Sequence, residues 1–311
     1  MKMLHHVVGW LRAHSKAHRP RGHWARWLGR HWAHLTYAVK VEPTWLELNH
    51  YDVPVAGLPV PFAGARFVQL SDFHCSRQVP LYYLEEAVEL AQAQQGDVTV
   101  LTGDFIHHGF RYVDRIAHIV GRLKAPLGVY AVLGNHDFSV RNALGIRRYR
   151  HLHQAVADAL RGQGIRVLHN ETVALERQGA HVLLTGVEDL WSRECDLGRA
   201  FGESHPHWPR VILAHNPRTI DQLMGRRCDL MLSGHTHGGQ INLPKLGRVT
   251  LGRKARRLAA GMYRLDKSFL YVNKGVGFGF RVRYGVRPEV AVLVLRPAEA
   301  GRPGAAPAAD G

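Results

Sequence analysis

Cysteine is scarce. The 311 residues include three, Cys75, Cys195 and Cys228, and no two form a CxxC pair. An odd, scattered set excludes a disulfide framework and a zinc ribbon, and it fits a reducing compartment. Cys75 adjoins His74 and reads as a small packed residue at a strand end. Long apolar runs are also missing. None approaches the roughly 18 residues a membrane-crossing helix needs, and Val7–Leu11 is too short for the apolar stretch of a secretory signal. The expectation is a cytoplasmic protein, held at most peripherally on the inner membrane. Acid is the third shortage: 25 Asp and Glu stand against 41 Lys and Arg, a formal net charge of +16. Such an excess directs the chain toward anionic partners, whether phosphorylated substrates, acidic lipid headgroups or nucleic acid.

What is present divides into three parts. Residues 1–42 carry Lys2, Arg12, Lys16, Arg19, Arg21, Arg26, Arg30 and Lys40 against one acid, Glu42. Four of the seven tryptophans lie here, at Trp10, Trp24, Trp27 and Trp32. Leu4, Val7, Val8 and Leu11 form one helical stripe, and Trp24, Trp27, Leu28, Trp32, Leu35 and Val39 a second. Pro20 and Gly22 separate them, and Pro43 ends the second. Basic amphipathic helices with aromatic anchors read as an interfacial anchor for an anionic membrane. Packing on the domain and a nucleic-acid arm are the rival readings.

Residues 44–297 alternate between strands and helices. Arg66–Ser71, Val98–Thr102, Val129–Leu133, Val182–Val187, Val211–Ala214 and Leu230–Ser233 are short apolar runs suited to buried strands. Helical patterns lie between them at Tyr82–Gln94, Tyr112–Leu123, Gly145–Arg161 and Pro217–Met224. Met262–Leu265, Phe269–Val272 and Val290–Leu295 follow in series. The order predicts α/β layers with an added antiparallel sheet. Residues 298–311 are Ala, Gly and Pro without an apolar face, and a disordered tail is expected there.

The informative observation is where the hard-ligand residues fall. Asp72 and His74 follow the first run, Asp104 the second, and Asn135, His136 and Asp137 the third. His215 follows Val211–Ala214, and His235 and His237 follow Leu230–Ser233. Open α/β sheets place their sites at these carboxyl ends. Two divalent ions about 3.5–4 Å apart can clamp an in-line displacement at phosphorus. An Asp can bridge such a pair through its two oxygens, while His and Asn fill the remaining positions. Oxygen and imidazole donors without thiolate point to Mn, Fe or catalytic Zn.

Asp72-Phe73-His74, Gly103-Asp104, Gly134-Asn135-His136-Asp137, His215 and Gly234-His235-Thr236-His237 resemble, in order, the five blocks of the calcineurin-like metallophosphoesterase family. The resemblance runs from about Arg66 to Leu295. It implies a four-layer α/β/β/α sandwich. It also implies one metal on Asp72, His74 and His237, a second on Asn135, His215 and His235, and Asp104 bridging. His136 would stabilise developing charge or protonate the leaving oxygen, with Asp137 orienting its ring. Gly234–Gln240 with the basic extension resembles the membrane-associated bacterial branch, some of whose members are linked to UDP-2,3-diacylglucosamine hydrolysis in lipid A synthesis.

The resulting expectation is hydrolysis of a lipid-linked phosphodiester or diphosphate beside a membrane, with no protein partner predicted. A nuclease or nucleotide phosphodiesterase is the alternative, and a non-enzymatic basic adaptor a third reading. The turn Gly275–Gly279 is read as carrying Arg281 and Arg283 toward substrate phosphate. His107 and His108 are read as second-sphere or solvent-facing. Arg253, Lys254, Arg256 and Arg257 are read as facing headgroups or a diphosphate. Specificity is expected in Phe138–Arg150 and Val249–Gly261.

Overall fold

A computed structural model describes residues 19–298 apart from 203, 204 and 267. The helix expected around Leu4–Leu11 and the tail from residue 299 lie outside the described residues. Two six-stranded sheets face each other. The first holds β1 (Glu47–Val55), β2 (Arg66–Leu70), β3 (Val98–Thr102), β4 (Val129–Val132), β5 (Arg166–Val167) and β14 (Glu289–Pro297), in the order β1-β14-β2-β3-β4-β5. The second holds β6 (Glu171–Arg177), β7 (Ala180–Val187), β8 (Arg210–Ala214), β9 (Leu230–Ser233), β12 (Gly261–Leu265) and β13 (Ser268–Val272), in the order β12-β13-β9-β8-β7-β6. A two-residue pair, β10 (Asn242–Leu243) and β11 (Gly247–Arg248), stands apart.

The strands from the apolar runs are buried on both faces because each sheet is covered on both. Helices α2 (Leu81–Gln92), α3 (Val113–Val120) and α4 (Leu152–Gly162) cover the outer face of the first sheet. Phe67, Val100, Leu184, Leu213 and Leu293 are among the side chains filling the space between the sheets. Short helices, α5 (Leu197–Phe201) and a 3-10 turn at Pro217–Gln222, lie on the outer face of the second. The molecule is a four-layer α/β/β/α sandwich.

The late strands do not form an added sheet. β12 and β13 extend the second sheet, β13 running parallel to β9, while β14 inserts into the first between β1 and β2. β1 carries Asp52 and Pro54 and gives no apolar run, and Pro is tolerated because β1 is an edge. The predicted helix Gly145–Arg161 forms only from Leu152, and Pro217–Met224 tightens into the 3-10 turn.

The amino-terminal segment begins as helix α1 (Arg19–Thr36), with Pro20 and Gly22 inside its first turns rather than before it. Trp24, Trp27, Leu28, Trp32 and Leu35 are all exposed. From Tyr37 the chain packs onto the domain. Ala38 is buried and its carbonyl accepts from Arg283 N at 2.9 Å. Glu42 is buried, and its Oε1 accepts from Val286 N at 2.6 Å.

Phe67→Ala empties the space between the sheets. It is expected to cost about 3–5 kcal/mol of unfolding free energy, measured by denaturant titration, and a loss below about 1 kcal/mol would contradict the packing described.

Candidate metal centre

β2, β3 and β4 belong to the first sheet and β8 and β9 to the second, so the residues after them meet at the seam between the two sheets. Buried polar contacts tie the sheets beneath that seam. Gln69 Nε2 donates to Thr102 Oγ1 at 2.8 Å and to the Ser233 carbonyl at 3.0 Å. His215 Nδ1 lies 2.7 Å from the Thr102 carbonyl. Crowding of the turns, within the first sheet at Gly134 and between the sheets at Gly234, leaves no room for side chains at two positions. A Cβ on Gly134 would stand 2.2 Å from Asp104 Oδ1, and one on Gly234 would stand 2.0 Å from Ser71 Oγ. The turns themselves bend sharply: Asp72, His74, Asp104, His235 and His237 all have positive φ, between 44° and 73°. Non-glycine residues occupy that region at a cost, and such residues cluster at functional sites.

Two groups of donor atoms face each other across the seam. In one, His74 Nε2 and His237 Nε2 are 2.8 Å apart, and Asp72 Oδ1 lies 3.4 Å from His237 Nε2. In the other, His235 Nδ1 lies 2.9 Å from Asn135 Oδ1 and 3.3 Å from His215 Nε2. Asp104 Oδ2 stands between them, 3.5 Å from His74 Nε2 and 3.2 Å from His215 Nε2. Asn135 Nδ2 donates to the Val140 carbonyl at 2.6 Å, which fixes where its Oδ1 points.

Burial controls the charges. It holds His74 and His237 well below the usual imidazole range and His235 down to about 3, so these rings are neutral with lone pairs free. Burial, with Asp104 adding to it, pushes Asp72 up to about 6. Burial alone would also raise Asp104 and lower His215, but their mutual attraction outweighs it. Asp104 stays far below the carboxylate range and His215 far above its own. A buried anion among neutral imidazoles is a donor set that fits divalent cations. Both Asp72–His74–His237 and Asp72–Asp104–His215 bring their donor atoms within 4.8 Å. His74 Nδ1 and His237 Nδ1 are buried without a partner among the described residues.

Asp137 does not orient the His136 ring. Its carboxylate accepts from Phe105 N at 2.9 Å, Ile106 N at 3.3 Å and Gly134 N at 2.9 Å, which ties the Asp104 turn to the Asn135 turn. Burial, then Asp104, push its pKa up to about 8. The His136 ring is instead held by the His107 carbonyl, 2.7 Å from Nδ1. His107 also joins His74 and His136 in a third cluster, and burial takes its pKa down to about 4.

Arg283 does not face substrate either. It is fully buried, and its guanidinium donates to the carbonyls of Lys274, Gly275, Gly277 and Val286. That pins the Gly275–Gly279 turn, whose amides at Val276 and Gly277 donate to the Ser71 and Asp72 carbonyls. Arg281 is exposed, next to Phe280 at the rim. Cys75 is buried in the helix-side core, its thiol pushed up to about 12 by burial. Two residues at the cavity were not singled out in the sequence, Trp191 and Arg141, although Arg141 lies within Phe138–Arg150, where specificity was expected. Neither sits in a distinctive pattern; Arg141 is one arginine among many.

Residues 65–239 match the family described as Calcineurin-like phosphoesterase. The phosphodiesterase YaeI of Escherichia coli is 32% identical over 82% of this chain and 90% of its own. The UDP-2,3-diacylglucosamine pyrophosphatase LpxG of Chlamydia trachomatis is 28% identical over 80% of this chain and 92% of its own. An uncharacterized metallophosphoesterase of Bacillus subtilis, YkuE, is 28% identical over 84% of this chain and 89% of its own.

Arg283→Met strands the carbonyls of Lys274, Gly277 and Val286, while Gly275 keeps Glu289 N, and each loss costs about 1–3 kcal/mol. The variant is expected to unfold at lower temperature and to bind Mn²⁺ more weakly in a chelator competition. Arg281→Met should match wild type in both. Equal behaviour of the two variants would refute the buttress.

Proposed function

The chain belongs to the calcineurin-like phosphoesterase family, and on that premise we propose a dinuclear hydrolase of lipid-linked phosphodiesters or diphosphates, working at a membrane surface. The observation that carries the dinuclear part is Asp104 Oδ2, within 3.5 Å of a ring nitrogen from each donor group. One divalent ion would be held by Asp72, His74 and His237. The second would be held by Asn135, His215 and His235, with Asp104 shared. When bound, the ions supply charge neutralisation at the phosphoryl oxygens and a lowered pKa for the attacking water.

The chain's own residues do the rest. Asp104 Oδ1 accepts from His136 N at 2.8 Å, so the shared ligand also sets the His136 backbone. With Nδ1 directed at the His107 carbonyl, the His136 ring keeps Nε2 for the cavity it lines, in position to give a proton to the leaving oxygen. Arg141, exposed on the cavity wall, takes the phosphate-facing role first given to Arg281 and Arg283.

The membrane part rests on α1. Its tryptophans are 64% exposed at Trp24 and 71% at Trp32, on one side of a basic helix. No helix among the described residues is long and apolar enough to cross a membrane, so the helix would lie in the interface. The helix end reaches the site through one segment. Tyr284 Oη lies 3.2 Å from His34 Nδ1, and Phe280, four residues earlier, lines the metal cavity. Similarity to the chlamydial UDP-2,3-diacylglucosamine pyrophosphatase favours a lipid-linked substrate.

Mn²⁺-loaded protein is expected to hydrolyse an aryl phosphodiester, and Asp104→Ala to lower kcat/KM by more than about a hundredfold. Full metal-dependent activity in that variant would sink the assignment. Replacing Trp24, Trp27 and Trp32 together by Ser should release the protein from phosphatidylglycerol vesicles while hydrolysis of the soluble ester continues. Undiminished vesicle binding would assign the stripe to another partner.

A further inference from the structure

A second cavity shares a wall with the metal site. It encloses about 440 Å³, within the roughly 300–1,000 Å³ of small-molecule sites. Trp191, Pro217, Leu251, Ala255 and Leu258 form its apolar walls, and Asn216 and Thr236 are the buried polar residues that line it. Trp191, His235, Thr236 and Leu251 line this cavity and the metal cavity alike.

We propose that this cavity is a subsite for an ester- or amide-linked acyl chain of the substrate, whose carbonyl accepts a hydrogen bond from Asn216 Nδ2. The proposal rests on the phosphoesterase reading for the phosphoryl end and adds which part of the substrate is selected.

Asn216 supplies the first argument. Its Oδ1 accepts from Arg218 N at 3.1 Å, while its Nδ2 is buried without a partner among the described residues. A buried donor left unpaired is costly, and a ligand oxygen relieves it. Asn216 also directly follows His215, and its cavity shares Trp191, His235, Thr236 and Leu251 with the metal cavity. The other polar groups available are few. Thr236 Oγ1 donates to the Ala259 carbonyl at 2.5 Å and is therefore committed. A nucleobase, with several donors and acceptors on its edge, would leave most of them unpaired here. An alkyl chain with one carbonyl would not. Arg218 and Arg253 are exposed and also line the cavity, where charge attracts a phosphorylated headgroup.

The walls are fixed relative to the ligand-bearing turns. The Arg248 guanidinium donates to the Gly238 carbonyl and Thr250 Oγ1 to the Gly239 carbonyl. Together with the Thr236–Ala259 bond, these pin the segment carrying Leu251, Ala255 and Leu258 onto the His235–Gly239 turn. Opposite, Asp189 Oδ1 accepts from Trp191 N at 2.8 Å, and the Trp191 ring meets the His235 ring edge-on at 4.5 Å. A chain seated here therefore lies at a set distance from the bond to be cut, the arrangement by which remote contacts position a reacting centre.

The test uses full-length, Mn²⁺-loaded protein and the soluble series hexanoyl-, octanoyl- and decanoyl-glycerol 3-phosphate, with binding followed by calorimetry. Each buried methylene is worth about fourfold, so affinity is expected to rise roughly fifteenfold per two carbons. Ala255→Trp or Leu251→Trp, which fill the cavity, should flatten that rise, and loss in either variant that folds suffices. Wild-type affinity that ignores chain length overturns the subsite. So does a rise that persists in both Trp variants, as binding to the α1 stripe would give. Uridine 5′-monophosphate binding that is lost in the Trp variants while the chain-length rise remains would reassign the cavity to a nucleobase. Hydrolysis of the aryl diester, measured in parallel, reports on the phosphoesterase reading alone. A chain-length rise without hydrolysis keeps the subsite and rejects that reading.

Discussion

The two sheets converge at their carboxyl ends until only hydrogen fits at Gly234, which faces Ser71 of the other sheet. Most of the site follows from that approach. It brings turns from both sheets close enough for Asp104 Oδ2 to lie between His74 and His215, ring nitrogens from opposite sheets. It is held from below by Gln69 and His215, each bonded to a partner on the other strand system. It is held from the side by Arg283, which fixes the turn whose amides bond the Ser71 and Asp72 carbonyls. The helices and the outer layer keep the sheets in that relation, and the core between them gives the seam a dry floor.

Dryness also decides the chemistry. A carboxylate carried out of water costs several kcal/mol unless it is paired, and this seam buries Asp72, Asp104 and Asp137 together. Three backbone amides partly answer Asp137, and His215 answers Asp104. The same desolvation keeps His74, His235 and His237 neutral. Neutral ring nitrogens beside buried carboxylates are the kind of donors divalent ions take.

The donor residues were legible in the sequence because each sits within a few residues of a short apolar run, and fully buried strands announce themselves that way. β1 was not, since an edge strand interrupted by Asp52 and Pro54 lacks that signal. The late strands carried the right residues but not their sheet membership, which depends on pairings as distant as Val292 with Val68. Arg283 misled for a physical reason. A guanidinium with five donors suits a crowd of carbonyls as well as it suits phosphate, and sequence does not tell the two apart. The amino-terminal stripe divided the rival readings between two stretches: exposed through Leu35, packed on the domain from Ala38. The second cavity was legible only through Val249–Gly261, where specificity was expected, because it is assembled from four separate segments.

The left-handed backbone at Asp72, His74, Asp104, His235 and His237 has an evolutionary consequence. Conformations of this kind cost on the order of 1–3 kcal/mol each, and glycine at any of the five would recover part of that while deleting a donor atom. Heat resistance and turnover are thus opposed at the same five positions. A lineage selected only to stay folded would be drawn toward silent copies of this protein, so an intact set of five is itself a record of selection for catalysis.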